Sequence, residues 1–322
     1  MTTMTKPKLA LYWAASCGGC EIAILELYEK VLDVAAAFDI VFWPVAVDTK
    51  YADIEAMDPD SIDLCLFNGA IRTSENEHLA SLLREKAKVL VAFGSCACEG
   101  GIPGLANTTT KEAIFDWVYG RSPTTANPDG VRPLTTCTLP EGEVQLPEFY
   151  ESVKTLGQTV DVDYYIPGCP PEAHQIWGVV EAIVTGAPLP PPGSVIGAGD
   201  KTVCEECVRV RREKHITGFV RPHQILADPE QCLLDQGMVC MGPATRSGCG
   251  GLCMSAGMPC RGCYGPAPHA RDQGANMMSA LASAIDAASE GEVAAILDQL
   301  ADPIGTFYRF GLPHSTIGRV QP

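Results

Sequence analysis

The sequence predicts an α/β chain: a parallel sheet with helices on both faces, followed by a small cysteine-rich domain with little regular structure. Two observations carry that prediction. Apolar runs of strand length alternate with helix-forming segments through the first 185 residues, and this order builds parallel sheets. Beyond residue 200 the periodicity fades, and eight of the fifteen cysteines fall between Cys204 and Cys263. A chain of 322 residues also exceeds most single cores, so two domains follow, 1–190 and 191–322.

The elements read in order. Lys8 to Trp13, Asp39 to Val45, Ile62 to Asn68 and Lys88 to Gly94 are short apolar runs rich in Val, Ile, Leu and aromatics, as buried strands require. Between them, Glu21 to Ala36 and Glu75 to Lys86 carry helix formers with mixed apolar and charged spacing. A fifth strand, Asp163 to Gly168, precedes a helix from Pro171 to Val184. Residues 120–160, with five prolines, read as an excursion between strands. The Pro/Gly-dense stretch Gly186 to Asp200 is the candidate boundary. Residues 201–273 carry little periodic pattern and are expected to lack an ordinary apolar core, so that bound metal orders them. Helices from Gly274 to Ala288 and Glu292 to Leu300 follow, and the tail GTFYRFGLPH is expected to pack on a partner or back on the body.

Composition excludes several function classes. No run approaches the roughly 18 apolar residues of a spanning helix, so no membrane insertion is expected. The net charge of −16 would repel nucleic acid. No GxGxxG or Walker pattern supports nucleotide binding. The N-terminus lacks the features of a leader, which predicts a cytoplasmic location.

In a reducing compartment clustered thiols hold metal more often than disulfides. SCGGCE supplies Cys17 and Cys20 just after the first strand, GSCACEGG supplies Cys96 after the fourth, and PGCPP supplies Cys169 after the fifth. Ligands of open α/β sheets collect at those strand ends. Gly18 and Gly19 carry no Cβ to keep backbone amides from the sulfurs. The CxxC alone also suits a thioredoxin-like redox pair or half a zinc site; with Cys96 and Cys169 in sheet order, four thiolates around an iron-sulfur cubane is the favoured reading. The later eight split by order into Cys204, Cys207, Cys232 and Cys240, then Cys249, Cys253, Cys260 and Cys263. Two four-cysteine zinc sites, and hence a zinc-stabilised interaction module, remain the alternative.

The combination CGGCE, FGSCACEGGIPG and IPGCPP resembles the small, electron-transferring subunit of NiFe hydrogenases. FNGAIRTSENE, CLLDQGMVCMGPATR and the GTFYR tail are most similar to the cytoplasmic methyl-viologen-reducing type, linked to heterodisulfide reductase. The related small subunit of respiratory complex I shares the flavodoxin-like half but uses adjacent cysteines at the first ligand position and lacks the C-terminal cluster domain. The resemblance implies three 4Fe-4S clusters: proximal on Cys17, Cys20, Cys96 and Cys169, medial on Cys249, Cys253, Cys260 and Cys263, and distal on Cys204, Cys207, Cys232 and Cys240. It implies that catalysis resides on a NiFe-type large subunit, and that electrons leave to a downstream iron-sulfur or flavin subunit, heterodisulfide-reductase-like. The same wire paired with a nickel-free large-subunit homologue is the alternative within redox enzymes. Many family members have a proline in place of one medial cysteine and a 3Fe-4S cluster; four cysteines here imply 4Fe-4S. Asn68 stands where many relatives carry a Glu, which leaves proton routing near that loop open.

The remaining candidates read more blandly. Cys65 sits in an apolar strand and reads as a buried hydrophobe. Cys98 reads as packing rather than a reserve ligand, and Cys137 has no evident partner. The six histidines show no ligand spacing. Glu21 reads as an exposed carboxylate in a first helical turn. The basic stretch Arg209 to His215 is either a solvated loop, a screen for an anionic cluster, or a docking site for an acidic partner.

Overall fold

A computed structural model describes residues 6–212 and 216–318. Six strands form one parallel sheet: β1 (Lys8–Trp13), β2 (Asp39–Phe42), β3 (Ile62–Asn68), β5 (Ala87–Phe93), β9 (Tyr164–Ile166) and β10 (Ser194–Val195), in the order β10-β9-β5-β3-β1-β2. The short β4 (Ile71–Thr73) pairs antiparallel with β8 (Phe149–Lys154), and β6 (Thr136–Leu139) with β7 (Gly142–Gln145) forms a separate hairpin. The Pro-rich excursion therefore contributes no strand to the main sheet, whereas the stretch read as a boundary adds β10 to its edge.

The helices of this half are α1 (Gly19–Leu25), α2 (Lys30–Ala37), α3 (Tyr51–Glu55), α4 (Ser74–Lys86), α5 (Ser95–Glu99), α6 (Lys111–Phe115) and α7 (Ala173–Thr185). α4 begins where Thr73 Oγ1 accepts from the Asn76 N–H and Asn76 Oδ1 accepts from the Thr73 N–H, a reciprocal cap. It buries Leu79, Ala80, Leu82 and Leu83 against one face of the sheet. α7 buries Ile176, Val179 and Val180 against the other and ends at Gly186, whose φ of 67° favours glycine. Each fully buried leucine contributes about 2 kcal/mol, and Leu83→Ala would cost about 2–5 kcal/mol. The single helix expected over Glu21 to Ala36 is instead two, broken at Tyr28 with φ 53°. The break lets Ala23 and Ile24 of α1 and Val34 of α2 all reach the core.

The second half holds α8 (Leu252–Ser255), α9 (Gln273–Ala282), α10 (Glu290–Leu297) and α11 (Pro303–Phe307) among irregular turns. It does have an apolar core, contrary to the expectation from its lack of periodicity. Met238, Met241, Met254 and Met277 pack with Val203, Phe219, Leu233, Leu234, Leu281 and Phe307. These residues come from turns and from the C-terminal helices, so neither a period of two nor one of 3.6 marks them. The tail packs back on the body: the Gly101 N–H donates to the Phe310 carbonyl at 2.9 Å, and Gln158 Nε2 donates to the Pro313 carbonyl at 2.8 Å. No helix among the described residues is long and apolar enough to cross a membrane.

Candidate iron-sulfur centres

The first thiol set gathers at the carboxyl ends of β1, β5 and β9. Cys17 lies in the turn after β1, Cys20 in the first turn of α1, Cys96 in the first turn of α5, and Cys169 just past β9. Cys20 and Cys96 are buried; Cys17 and Cys169 are exposed. Two glycines keep space beside the buried sulfurs: a Cβ on Gly94 (φ +85°) would run into Cys20 Sγ, and one on Gly101 would lie 2.5 Å from Cys96 Sγ. Burial pushes the Cys20 thiol far up, with Cys96, Cys169, Cys17 and then Glu21 adding to it. Burial, followed by Cys169 and Cys17, pushes Cys96 up to about 12. Buried thiols that act on one another in this way give up their protons when a bound cation supplies the compensating charge.

Cys204, Cys207, Cys232 and Cys240 line one small cavity together with Leu233, Leu234, Met254, Arg209 and Arg211. Cys204 is exposed at its rim, yet the protein around its sulfur pushes the thiol up to about 12, Cys240, Cys232 and Cys207 adding and Arg211 opposing. Arg209 is fixed there by the carbonyls of Met254 (2.9 Å), Asp228 and Gln231 (3.0 Å). The basic stretch thus begins beside this set; its last residues, Glu213 to His215, lie outside the described residues.

Cys249, Cys253, Cys260 and Cys263 form the third set. Cys260 is buried, Cys249 and Cys263 half-buried, and Cys253 exposed. Burial, then Cys169, Cys249 and Cys253, pushes Cys263 up to about 12, while the backbone amide of Cys169 draws it down. The Cys260 N–H in turn donates to Cys240 Sγ at 3.3 Å. The third set therefore touches the first through Cys169 and Cys263, and the second through Cys260 and Cys240.

A single four-thiolate zinc ion would need sulfurs about 3.8 Å apart, from a Zn–S bond of roughly 2.3 Å. Among the described residues no three His, Cys, Asp or Glu side chains close on one ion. The second set instead lines a cavity and two glycines keep space beside the buried sulfurs of the first, and an all-thiolate donor set of this kind fits a cubane.

Beside the first set lies an acid that the sequence places on the surface. Glu21 is 5% exposed and Asn68 0%, and the Glu21 carboxylate faces Asn68 and Trp43 within the core. Burial raises the Glu21 pKa, opposed by Trp43 and Asn68. The reading of Glu21 as exposed is corrected here: α1 turns it inward over the sheet edge. Its place directly after Cys20 was the available signal.

The other cysteines lie elsewhere in the packing. Cys98 Sγ donates to the carbonyls of Ala92 (3.4 Å) and Ile166 (3.6 Å), Cys65 is fully buried in β3, and Cys137 lies in the β6–β7 hairpin. Among the described histidines, His78 pairs with Glu55, His314 with Glu99, and His174 meets the Gly248 carbonyl. Sequence spacing gives no sign that Arg309 approaches Arg261 near the third set, although Arg261 lies between Cys260 and Cys263.

The profile of the family described as NADH ubiquinone oxidoreductase, 20 Kd subunit, matches residues 17–183, which span the whole first thiol set. The iron-sulfur subunit of the F420-non-reducing hydrogenase of Archaeoglobus profundus is 43% identical, with 97% of this chain and 98% of that one covered. A subunit of the F420-non-reducing hydrogenase of Methanothermobacter thermautotrophicus is 38% identical, with 97% and 96% covered. A solved [NiFeSe] hydrogenase chain from Desulfovibrio vulgaris Hildenborough shares the fold at 18% identity and a TM-score of 0.52, over 82% of this chain and 95% of that chain. Full-length similarity, the parallel sheet and the three thiol sets agree: the chain belongs to the NADH ubiquinone oxidoreductase 20 Kd subunit family, as a NiFe hydrogenase small subunit of the F420-non-reducing type.

Proposed function

We propose that this small subunit works in a cytoplasmic complex, taking electrons from a NiFe-bearing large subunit and passing them by three 4Fe-4S clusters to a downstream iron-sulfur or flavin subunit of heterodisulfide-reductase type. The observation that carries the reading is the serial contact of the three thiol sets, Cys169 against Cys263 and Cys260 against Cys240. Such clusters store and hand on single electrons at potentials set by charge, sulfur hydrogen bonds and solvent exposure. Cys17, Cys20, Cys96 and Cys169 are the proximal ligands in this reading, Cys249, Cys253, Cys260 and Cys263 the medial ones, and Cys204, Cys207, Cys232 and Cys240 the distal ones.

The chain's own residues suit the two ends to partners. Exposed Cys17 and Cys169 mark the entry, and Ile22, Leu25 and Tyr28 leave apolar surface beside it, as a face covered by a large subunit would. Exposed Cys204 and Arg211 mark the exit. In this reading the chain divides near residue 190; the apolar packing of the sheet half extends on to Ile196, and the third apolar cluster draws on residues from Val203.

Nickel and iron quantification of the native complex, with electron paramagnetic resonance of its reduced form, tests the reading. Nickel and three 4Fe-4S signals are expected. A nickel-free complex active with another donor would favour the nickel-free homologue, and a colourless zinc-bearing chain would favour an interaction module.

A further inference from the structure

Arg221, His223, Arg261 and Arg309 line one open cleft of about 660 Å³ between the 219–224 loop and the turn leading into α11. The chain as a whole carries a net charge of −16, so this concentration of cations is local. Asp302 is the one acid in the cleft wall among the described residues, and its Oδ1 already accepts from the Gly305 N–H at 2.8 Å. Hydrogen bonds fix the wall in advance of any occupant. The Phe219 N–H donates to Gln299 Oε1 at 2.6 Å, the Val220 N–H to the Gly237 carbonyl at 2.9 Å, and the Arg221 N–H to Gln224 Oε1 at 2.7 Å. On the opposite side Arg309 Nε donates to the Gly305 carbonyl at 2.9 Å.

Three guanidiniums against one engaged carboxylate leave the cleft with surplus positive charge, and a guanidinium takes a carboxylate through two parallel N–H···O bonds. The rim adds a second, apolar signal. Directly after the lining loop, Ile225 is exposed and Leu226 lies wholly in solvent. Met258 is exposed just before Pro259 of the lining, and Leu297 two residues before Gln299. Arginine set among exposed apolar side chains and methionine is the composition of a protein interface. A small phosphate ester would satisfy the arginines and leave that rim in water, and a nucleic acid would bring repeated phosphates against the acidic remainder of the chain. A short acidic protein segment meets both the charge and the rim.

We propose that this cleft is the docking site for an acidic segment of a neighbouring subunit, whose carboxylates pair with Arg221, Arg261 and Arg309 while apolar residues beside them cover Ile225 and Leu226. The inference rests on the reading of this chain as one subunit of a larger complex, and it adds where and by what chemistry a neighbour is held. Among the described residues the cleft wall contains no cysteine, so the contact serves assembly and is separate from the thiol sets. Arg221 stands exposed on the loop and meets the incoming charge first. Arg261 is half-buried, so its pair forms with less water between the partners and is the stronger one.

The test is photo-crosslinking in the purified native complex, with p-benzoylphenylalanine in place of Leu226 and mass spectrometry of the joined peptides. Purification of the chain without any other subunit would overturn the complex reading itself and the inference with it. In an intact complex, position 226 is expected to join a segment of another subunit rich in Asp and Glu. Arg221→Glu is expected to weaken that subunit's binding about tenfold at low salt and less as salt rises, with iron content unchanged. Arg221→Lys should keep most of the binding, and reversing the cross-linked acid to Arg should restore it in Arg221→Glu. A cross-link to a segment without carboxylates, no cross-link to any subunit, or binding that Arg221→Glu leaves unchanged at low salt would overturn the docking site while leaving the complex in place. Inorganic pyrophosphate bound by the intact complex and lost in Arg221→Glu would overturn it as well, since the cleft would then belong to a small phosphate ligand.

Discussion

The Ser95 hydroxyl donates to the Cys263 carbonyl, so the residue preceding Cys96 of the first thiol set is tied to the backbone of Cys263 in the third. Ser95 is 1% exposed and opens α5 directly after β5. The bond fastens the sheet domain to the cysteine-rich domain at the point where the two thiol sets meet, and Tyr264 continues the seam by donating to Gln175 Oε1 at 2.9 Å.

Ser95→Ala should leave the Cys263 carbonyl without this donor at a cost of about 1–3 kcal/mol. A lowered melting temperature of the loaded complex with its iron content intact is the expected result. An unchanged melting temperature would show that the seam does not depend on this bond.

Gly94→Ala should remove the proximal cluster alone. Its Cβ would collide with Cys20 Sγ, and the φ of +85° strains any L side chain. Iron analysis and electron paramagnetic resonance should show the medial and distal signals without the proximal one. Cys98→Ala is the control: its sulfur is already engaged by the Ala92 and Ile166 carbonyls, so all three clusters should persist.

Cys253→Pro should convert the medial site. Cys253 is exposed and sits in the first turn of α8, where its N–H has no intrahelical acceptor and proline is tolerated. Loss of one thiolate should release one iron and give a 3Fe-4S signal in the oxidised protein, with dye reduction largely kept and low-potential coupling lost. A variant that still shows three 4Fe-4S clusters would assign Cys253 elsewhere.

His314 should stabilise the docked tail only at low pH. Its hydrogen bond and charge interaction with Glu99, at 2.8 Å, raise the His314 pKa, Asp272 adding and burial opposing. A raised folded pKa means the stabilisation is complete below the unfolded value of about 6.5 and is lost as pH climbs through the folded one. The His314 side chain is 47% exposed, so solvent screening holds the effect to less than about 1 kcal/mol. His314→Ala should melt earlier than wild type near about pH 5.5 and at the same temperature near about pH 9; a pH-independent difference would point to packing by Pro313 and its neighbours.

The sheet strands were legible because each is a local apolar run whose length and composition suit a buried parallel strand: β1 and β3 have the residues the pattern predicts, and β5 begins one residue earlier. The three sets of cysteines were legible because thiols are few in type and their grouping follows chain order. By itself, then, the sequence determined the α/β class and the family resemblance. The break at Tyr28, the inward turn of Glu21, the methionine-rich core around Met238 and Met277, and the facing of Arg261 by Arg309 were decided only in three dimensions. Each of these joins residues from different segments, and burial or charge pairing across segments leaves no period and no spacing in the chain. The neighbourhood of the cysteine groups belongs to the same class: Cys240 meets Cys260, and Cys263 is tied to Ser95 beside Cys96, because packed turns from distant segments bring their backbones together.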